Sequence, residues 1–268
     1  MRFRIRHITV IFLFFILLLT TKTVNGQLFL APEDGFQISF STGNIQYKDY
    51  LLNGLRNNGI NLSLGVDYSI NNHSLNHAAG LVIDFAPLWN RYGWGGIDNH
   101  CLQPTIYYRL LTKVNGKFQL GGIVNYSTLF YKNEYFDSHH NYWRTNMNLG
   151  FSACFTMPIN EKWTLFIPVN LPLVGFLSRP AADRSLILNE PDLKLYDILK
   201  RMHSHFQFVA IGYHYFEIET GIFFGVRLPS NRRIHFGYKI LYEQTTLSLK
   251  SQRLTNQISL QYSLKKIQ

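Results

Sequence analysis

Ile60-Asn61-Leu62-Ser63-Leu64-Gly65-Val66-Asp67-Tyr68-Ser69-Ile70 alternates apolar and polar residues without an error. A period of two is the pattern of an extended strand with one apolar and one polar face. The polar face is the unusual one. It is made of Asn, Ser and Gly with a single Asp. A strand whose polar face met bulk solvent would carry many charges.

The same pattern recurs along the chain. Phe118, Leu120, Val124, Tyr126 and Phe130 oppose Gln119, Asn125 and Ser127, with Ile123 as the exception. Trp143, Met147, Leu149, Phe151 and Phe155 oppose Arg144, Asn146, Asn148 and Ser152. Ile234, Phe236, Tyr238, Ile240 and Tyr242 oppose His235, Gly237, Lys239 and Glu243. Ile258, Leu260, Tyr262 and Leu264 oppose Gln257, Ser259, Gln261 and Ser263. Weaker strands read at about 36–48, 75–86, 101–112, 162–175, 205–215 and 218–228. The clear runs are longer than the roughly five or six residues of a globular strand and meet the roughly 9–11 that a tilted membrane strand needs.

Composition agrees with an all-β transmembrane barrel. A hydrophobic content of 46% by itself suits a soluble protein, because alternation in barrel strands cancels in the average, but aromatics are high at 15% and charged residues low at 16%, against about 25% charged in soluble domains. Strand-end aromatics Phe130, Tyr131, Tyr142, Trp143, Trp163 and Tyr242 are expected in interfacial girdles. Val114-Asn115-Gly116 and Pro229-Ser230-Asn231 read as tight turns, while 87–100, 132–140, 177–204 and 244–253 read as long loops. Short turns at one rim and long loops at the other suit an up-and-down barrel. In hydrocarbon a free strand edge has no water to satisfy it, so the sheet must close. Eleven strands are read, and the even number usual for such barrels raises the expectation to about twelve. The miscounted stretch is placed within 168–217.

Residues 1–26 read as a cleaved signal peptide. Arg2, Arg4 and Arg6 precede an apolar core from Ile8 to Leu19, and a polar segment ends at Gly26. The expected organisation is therefore a signal peptide over 1–26 and a barrel over 27–268. With Arg2, Arg4, Arg6 and Lys22 set aside, the formal net charge falls from +10 to +6. The remaining basic residues are scattered, so no nucleic-acid partner is expected. Cys101 and Cys154 are expected at opposite rims, without a disulfide between them.

The leader, the alternating strands and the final strand from Asn256 to Leu264 resemble bacterial outer-membrane β-barrel proteins. The terminal aromatic usual in that class is replaced here by Lys265-Lys266-Ile267-Gln268. The resemblance implies residence in the cell outer membrane of a Gram-negative bacterium, outer-membrane lipid as surroundings, and the barrel-assembly machinery as partner during biogenesis. It implies no activity.

Two groups of residues are candidates for function. Asp67, Asp84, Arg109, Arg144, Glu219, Arg227, Lys239 and Glu243 share the polar faces and are expected to face the lumen. Opposed charges there would either select ions or pair across the barrel. The second group lies in the irregular middle. Pro168 and Pro172 cannot donate to a ladder, which predicts a bulge or an early strand end. Beyond them Asn189 is a helix cap with Pro191 in the first turn, and Leu195, Ile198, Leu199 and Met202 share a helical face. This short helix in a long loop, with Arg179, Asp183 and Arg184, is a candidate plug or lid, or else a rim element.

No metal site is expected. The His139-His140 pair and the His203-x-His205 spacing lack a carboxylate or Cys companion. No cofactor motif occurs. Three functions fit the sequence: a narrow channel for small solutes, a structural or partner-binding barrel with a blocked lumen, and a lipid-modifying enzyme at the rim. The enzyme would need a Ser–His pair on one face, and the adjacent His73-Ser74 and His203-Ser204 pairs face apart in a strand.

Overall fold

A computed structural model describes residues 35–50, 56–72, 74–90, 95–133, 140–179, 206–228, 232–247 and 250–264. The expected signal peptide and the helix over 189–203 lie outside these residues. The strands are β1 (Gly35–Asp49), β2 (Arg56–Asn72), β3 (Leu75–Asn90), β4 (Gly95–Lys113), β5 (Phe118–Asn133), β6 (His140–Pro158), β7 (Trp163–Ser178), β8 (Gln207–Ile211), β9 (His214–Arg227), β10 (Arg233–Thr245) and β11 (Ser251–Ser263). They form one closed barrel in chain order, and β1 pairs antiparallel with β11 to seal it.

The exterior is apolar and the interior polar, the reverse of a soluble protein. Leu64 is 60% exposed and Ile258 68%, whereas Asn61 is 0% exposed and Gln257 2%. Phe40, Leu62, Val66, Ile83, Ile106, Val124, Leu149 and Ile222 extend the outward belt. Such a belt is stable only against lipid, and a closed antiparallel barrel carrying one is of the outer-membrane type. No helix among the described residues is long and apolar enough to cross a membrane. The crossing is made by strands.

The two ends differ. At one end β4–β5 and β6–β7 are joined by tight turns. The Asn115 side-chain oxygen accepts from the Lys117 amide at 2.9 Å, and that of Asn160 accepts from Lys162 and Trp163 at 2.9 Å each. Local Asx bonds of this kind spare the turn its unpaired donors. The other end carries the longer connections, including the one over 179–206. Outward aromatics mark both rims: Trp163 packs edge-on against Phe236 near the turns, and Phe176 against Phe208 near the loops. Tyr131 departs from the expected girdle. It is 1% exposed, faces inward, and packs with Tyr47. Trp143 is also buried.

The structure has eleven strands, the number read along the sequence before the even-number rule raised it to about twelve, and they form ten full staves and one short insert. Toward the turns β9 pairs directly with β7, from Trp163↔Val226 to Asn170↔Glu219. Toward the loops β8 takes its place, from Val174↔Ala210 to Leu177↔Gln207. Both run antiparallel to β7, so β8 and β9 are parallel to each other where they overlap, at Ala210↔His214 and Ile211↔Tyr215. Directions alternate around an antiparallel ring, so eleven strands require one parallel neighbour pair, and this is it. The chain doubles back there through reciprocal amide bonds between Ala210 and Tyr213, with Gly212 at φ 76° and His214 at φ 59°. Glycine adopts that left-handed backbone at no steric cost.

The prolines do not end β7. Gly150 pairs with Pro172 while Leu149 pairs with Val174, which leaves Leu173 as an extra residue. This is a β-bulge, and it re-aims the strand where Pro172 cannot donate.

Candidate functional site in the lumen

A pleated strand sends every second side chain inward, and ten staves make a narrow barrel in which long side chains from opposite walls can meet. They do so in the loop-side half. Arg144 of β6 donates to Glu243 of β10 at 2.5 Å, with side chains 1% and 3% exposed. Asn146 donates to the other oxygen of Glu243 at 3.0 Å, and Arg144 reaches Ser251 at 3.4 Å. Arg253 of β11 donates to Gln103 of β4 and to Thr255, and lies 3.8 Å from Asp84 of β3. Arg253 and Glu243 are register partners on neighbouring strands. Asp84, Arg253, Glu243 and Arg144 therefore alternate in sign in one chain across the lumen. Desolvated charges need such partners, because each one alone costs several kcal/mol to bury.

Nearer the loops, Arg179 donates to Asp49 at 2.9 Å and to the Leu247 carbonyl at 3.4 Å. Tyr47 donates to the second Asp49 oxygen at 3.0 Å. Two apolar clusters flank these pairs. Ile45, Tyr47, Ala86, Leu88, Cys101, Leu129 and Tyr131 form one. Leu177, Val209, Tyr215 and Leu247 form the other. The loop-side lumen is thus filled by side chains.

The turn-side half holds a cavity of about 260 Å³ that runs from the level of Asp84 and Glu243 toward Gln37, Gln119 and Gln261. Its acids are occupied by internal donors. Tyr107 donates to Asp67, and Asn61 to Asp84 at 3.1 Å. Glu219 holds Lys239 at 2.9 Å and Asn170 at 2.8 Å, and Tyr215 donates to Glu217. Gly80 makes the first of these contacts possible. It is the register partner of both Asp67 and Tyr107, and a Cβ there would stand 2.0 Å from the Asp67 carboxylate and 2.7 Å from the Tyr107 ring.

Of the eight lumen candidates, Asp67, Asp84, Arg109, Glu219, Lys239 and Glu243 line the cavity, and Arg144 is buried above it. Arg227 is exposed at the turn-side rim. Of the plug or lid candidates, Arg179 is placed as above, and Asp183, Arg184, Leu195, Ile198, Leu199 and Met202 lie outside the described residues. Sequence reading missed Arg253, Glu217 and Asp49. Arg253 had a usable signal: it continues the inward row Thr255, Gln257, Ser259. Glu217 lay in the gap between two read strands. Both cysteines are free, Cys101 in the first apolar cluster and Cys154 on the cavity wall.

No family model and no curated protein matches the chain. Solved structures do. The β domain of the Bordetella autotransporter BrkA is 10% identical, over 86% of this chain and 100% of that one, with a TM-score of 0.43. The translocator domain of autotransporter NalP from Neisseria meningitidis is 10% identical, over 88% and 90%, also at 0.43. The Pseudomonas putida toluene transporter TodX is 10% identical, over 87% and 90%, at 0.31. No residue role passes from them to this chain.

Proposed function

We propose that this protein is an integral outer-membrane barrel whose lumen is shut in its loop-side half, with a small binding cavity in the turn-side half. The observation that carries this reading is the Arg144–Glu243 pair, which spans the lumen while almost fully buried. A conducting pore keeps its charged groups wet, and these are dry. The barrel then serves as a binding or structural element and not as a free path for solutes.

Planar-bilayer recording of the refolded full chain tests the reading. The wild-type barrel is expected to give no conductance steps, and steady ohmic steps at low voltage would overturn it. A gated channel is the second reading, favoured by one observation: the closure described here is built from side chains on strands. For that reading, Arg144→Ala with Glu243→Ala is expected to conduct where the wild type is silent.

A further inference from the structure

We infer that the turn-side cavity binds a small organic carboxylate with an apolar body, held by Arg109. This rests on the cavity reading above and names its ligand class. Every other lumen charge described has a partner. Arg144, Arg179, Arg253 and Lys239 each face a carboxylate, and Asp67 and Glu217 each accept a tyrosine hydroxyl. Arg109 makes no hydrogen bond and no ion pair among the described residues, and its Nε is a buried donor without an acceptor. Asp67 and Glu219 act on it only through space. A buried guanidinium donor left without an acceptor is costly, and a planar carboxylate is the group whose two oxygens match it.

The surroundings of Arg109 specify the rest of the ligand. Its register partners are Ala78 on β3 and Ile123 on β5, both buried. Leu111, Val82, Phe166 and Phe223 line the same cavity. The inward apolar residues of the loop-side half pack against one another in two clusters, whereas these line open space among polar neighbours. A wet lumen has no use for them, and an apolar ligand body does. The volume of about 260 Å³ is below the roughly 300–1,000 Å³ of sites for drug-sized molecules, which fits a body of about one ring. The nearby Asp67, Glu217 and Glu219 disfavour a phosphate dianion more than a monoanion, since like charges repel in proportion to charge.

Calorimetric titration of the refolded full-length barrel in detergent with benzoate tests this, with benzamide as the neutral analogue of the same shape. Wild type is expected to prefer benzoate to benzamide by about tenfold or more, the range of a charge-assisted bidentate contact. Arg109→Gln is expected to abolish that preference, and Arg109→Lys, which keeps the charge but not the fork, to retain part of it. Heat-modifiable gel migration confirms that each variant is folded. Equal affinity for benzoate and benzamide, undiminished benzoate binding in Arg109→Gln, or no benzoate binding by the folded wild type would each overturn the inference. Conductance separates this from the closed-lumen reading. A silent barrel that ignores benzoate sinks only the ligand, and a conducting barrel that binds it sinks only the closure.

Discussion

Asp67 and Tyr107 stand on strands that do not pair, and they meet over Gly80 on the strand between them. The glycine is the gap through which the tyrosine reaches the acid. Gly80→Ala is expected to push the two apart and leave a half-buried carboxylate without its donor. The expected cost is about 1–3 kcal/mol. Urea unfolding of the barrel in lipid vesicles, followed by tryptophan fluorescence, measures it. A midpoint equal to that of the wild type would refute the role given to Gly80.

The lumen pair Arg144–Glu243 makes a non-additive prediction. Glu243→Met alone leaves Arg144 buried without its carboxylate, and breaking a buried pair in this way costs about 3–5 kcal/mol. Replacing both by Met removes the uncompensated charge and is expected to cost less than the single change. A double-mutant cycle in the same unfolding assay decides it, and strict additivity would argue against a direct pair.

The lipid belt predicts opposite tolerances at adjacent residues. Val124 is 41% exposed on the outward face, and Asn125 lines the cavity. Val124→Arg is expected to cost about 2–4 kcal/mol near the bilayer midplane, with Asn125→Arg milder. Equal costs would reject the in–out assignment.

At the break between β8 and β9, Gly212 has a left-handed backbone and open space around it. A β-branched residue fits the space and not the backbone. Gly212→Val is therefore expected to destabilise by about 1–2 kcal/mol through strain alone. An unchanged unfolding midpoint would show that the backbone there is not left-handed.

The cysteines report on access. Cys154 lines the cavity and Cys101 is packed in the loop-side cluster. A small water-soluble thiol reagent is expected to modify Cys154 in the folded barrel and to spare Cys101 until it unfolds. Mass mapping of the labelled barrel reads the outcome, and faster modification of Cys101 would contradict the filled loop-side lumen.

The two faces of the barrel were legible from Ile60 to Ile70 alone. Alternation is a property of the pleated backbone, so it is written locally, residue by residue. The same holds for the outward row of Ile258 and Leu260, and for Pro172, whose missing donor announced a bulge or a strand end, of which the structure has the bulge. The sequence by itself thus determined the strands, the alternation of their two faces and the membrane as solvent, while Arg253, Glu217 and Asp49 escaped it and Tyr131 and Arg227 were assigned to the wrong place. It did not determine the number of staves. The runs 205–215 and 218–228 read as two strands, and only their shared partner β7 shows that one is a full stave and the other a short insert beside it. Nor did it determine which charges meet. Arg144 and Glu243 lie 99 residues apart, and nothing local to either names the other. Their contact depends on ring width, stagger and register, which exist only once β1 has closed on β11. The same closure left Arg109 without a partner among the described residues, and so the tertiary structure alone singled out that residue from a row of similar inward charges.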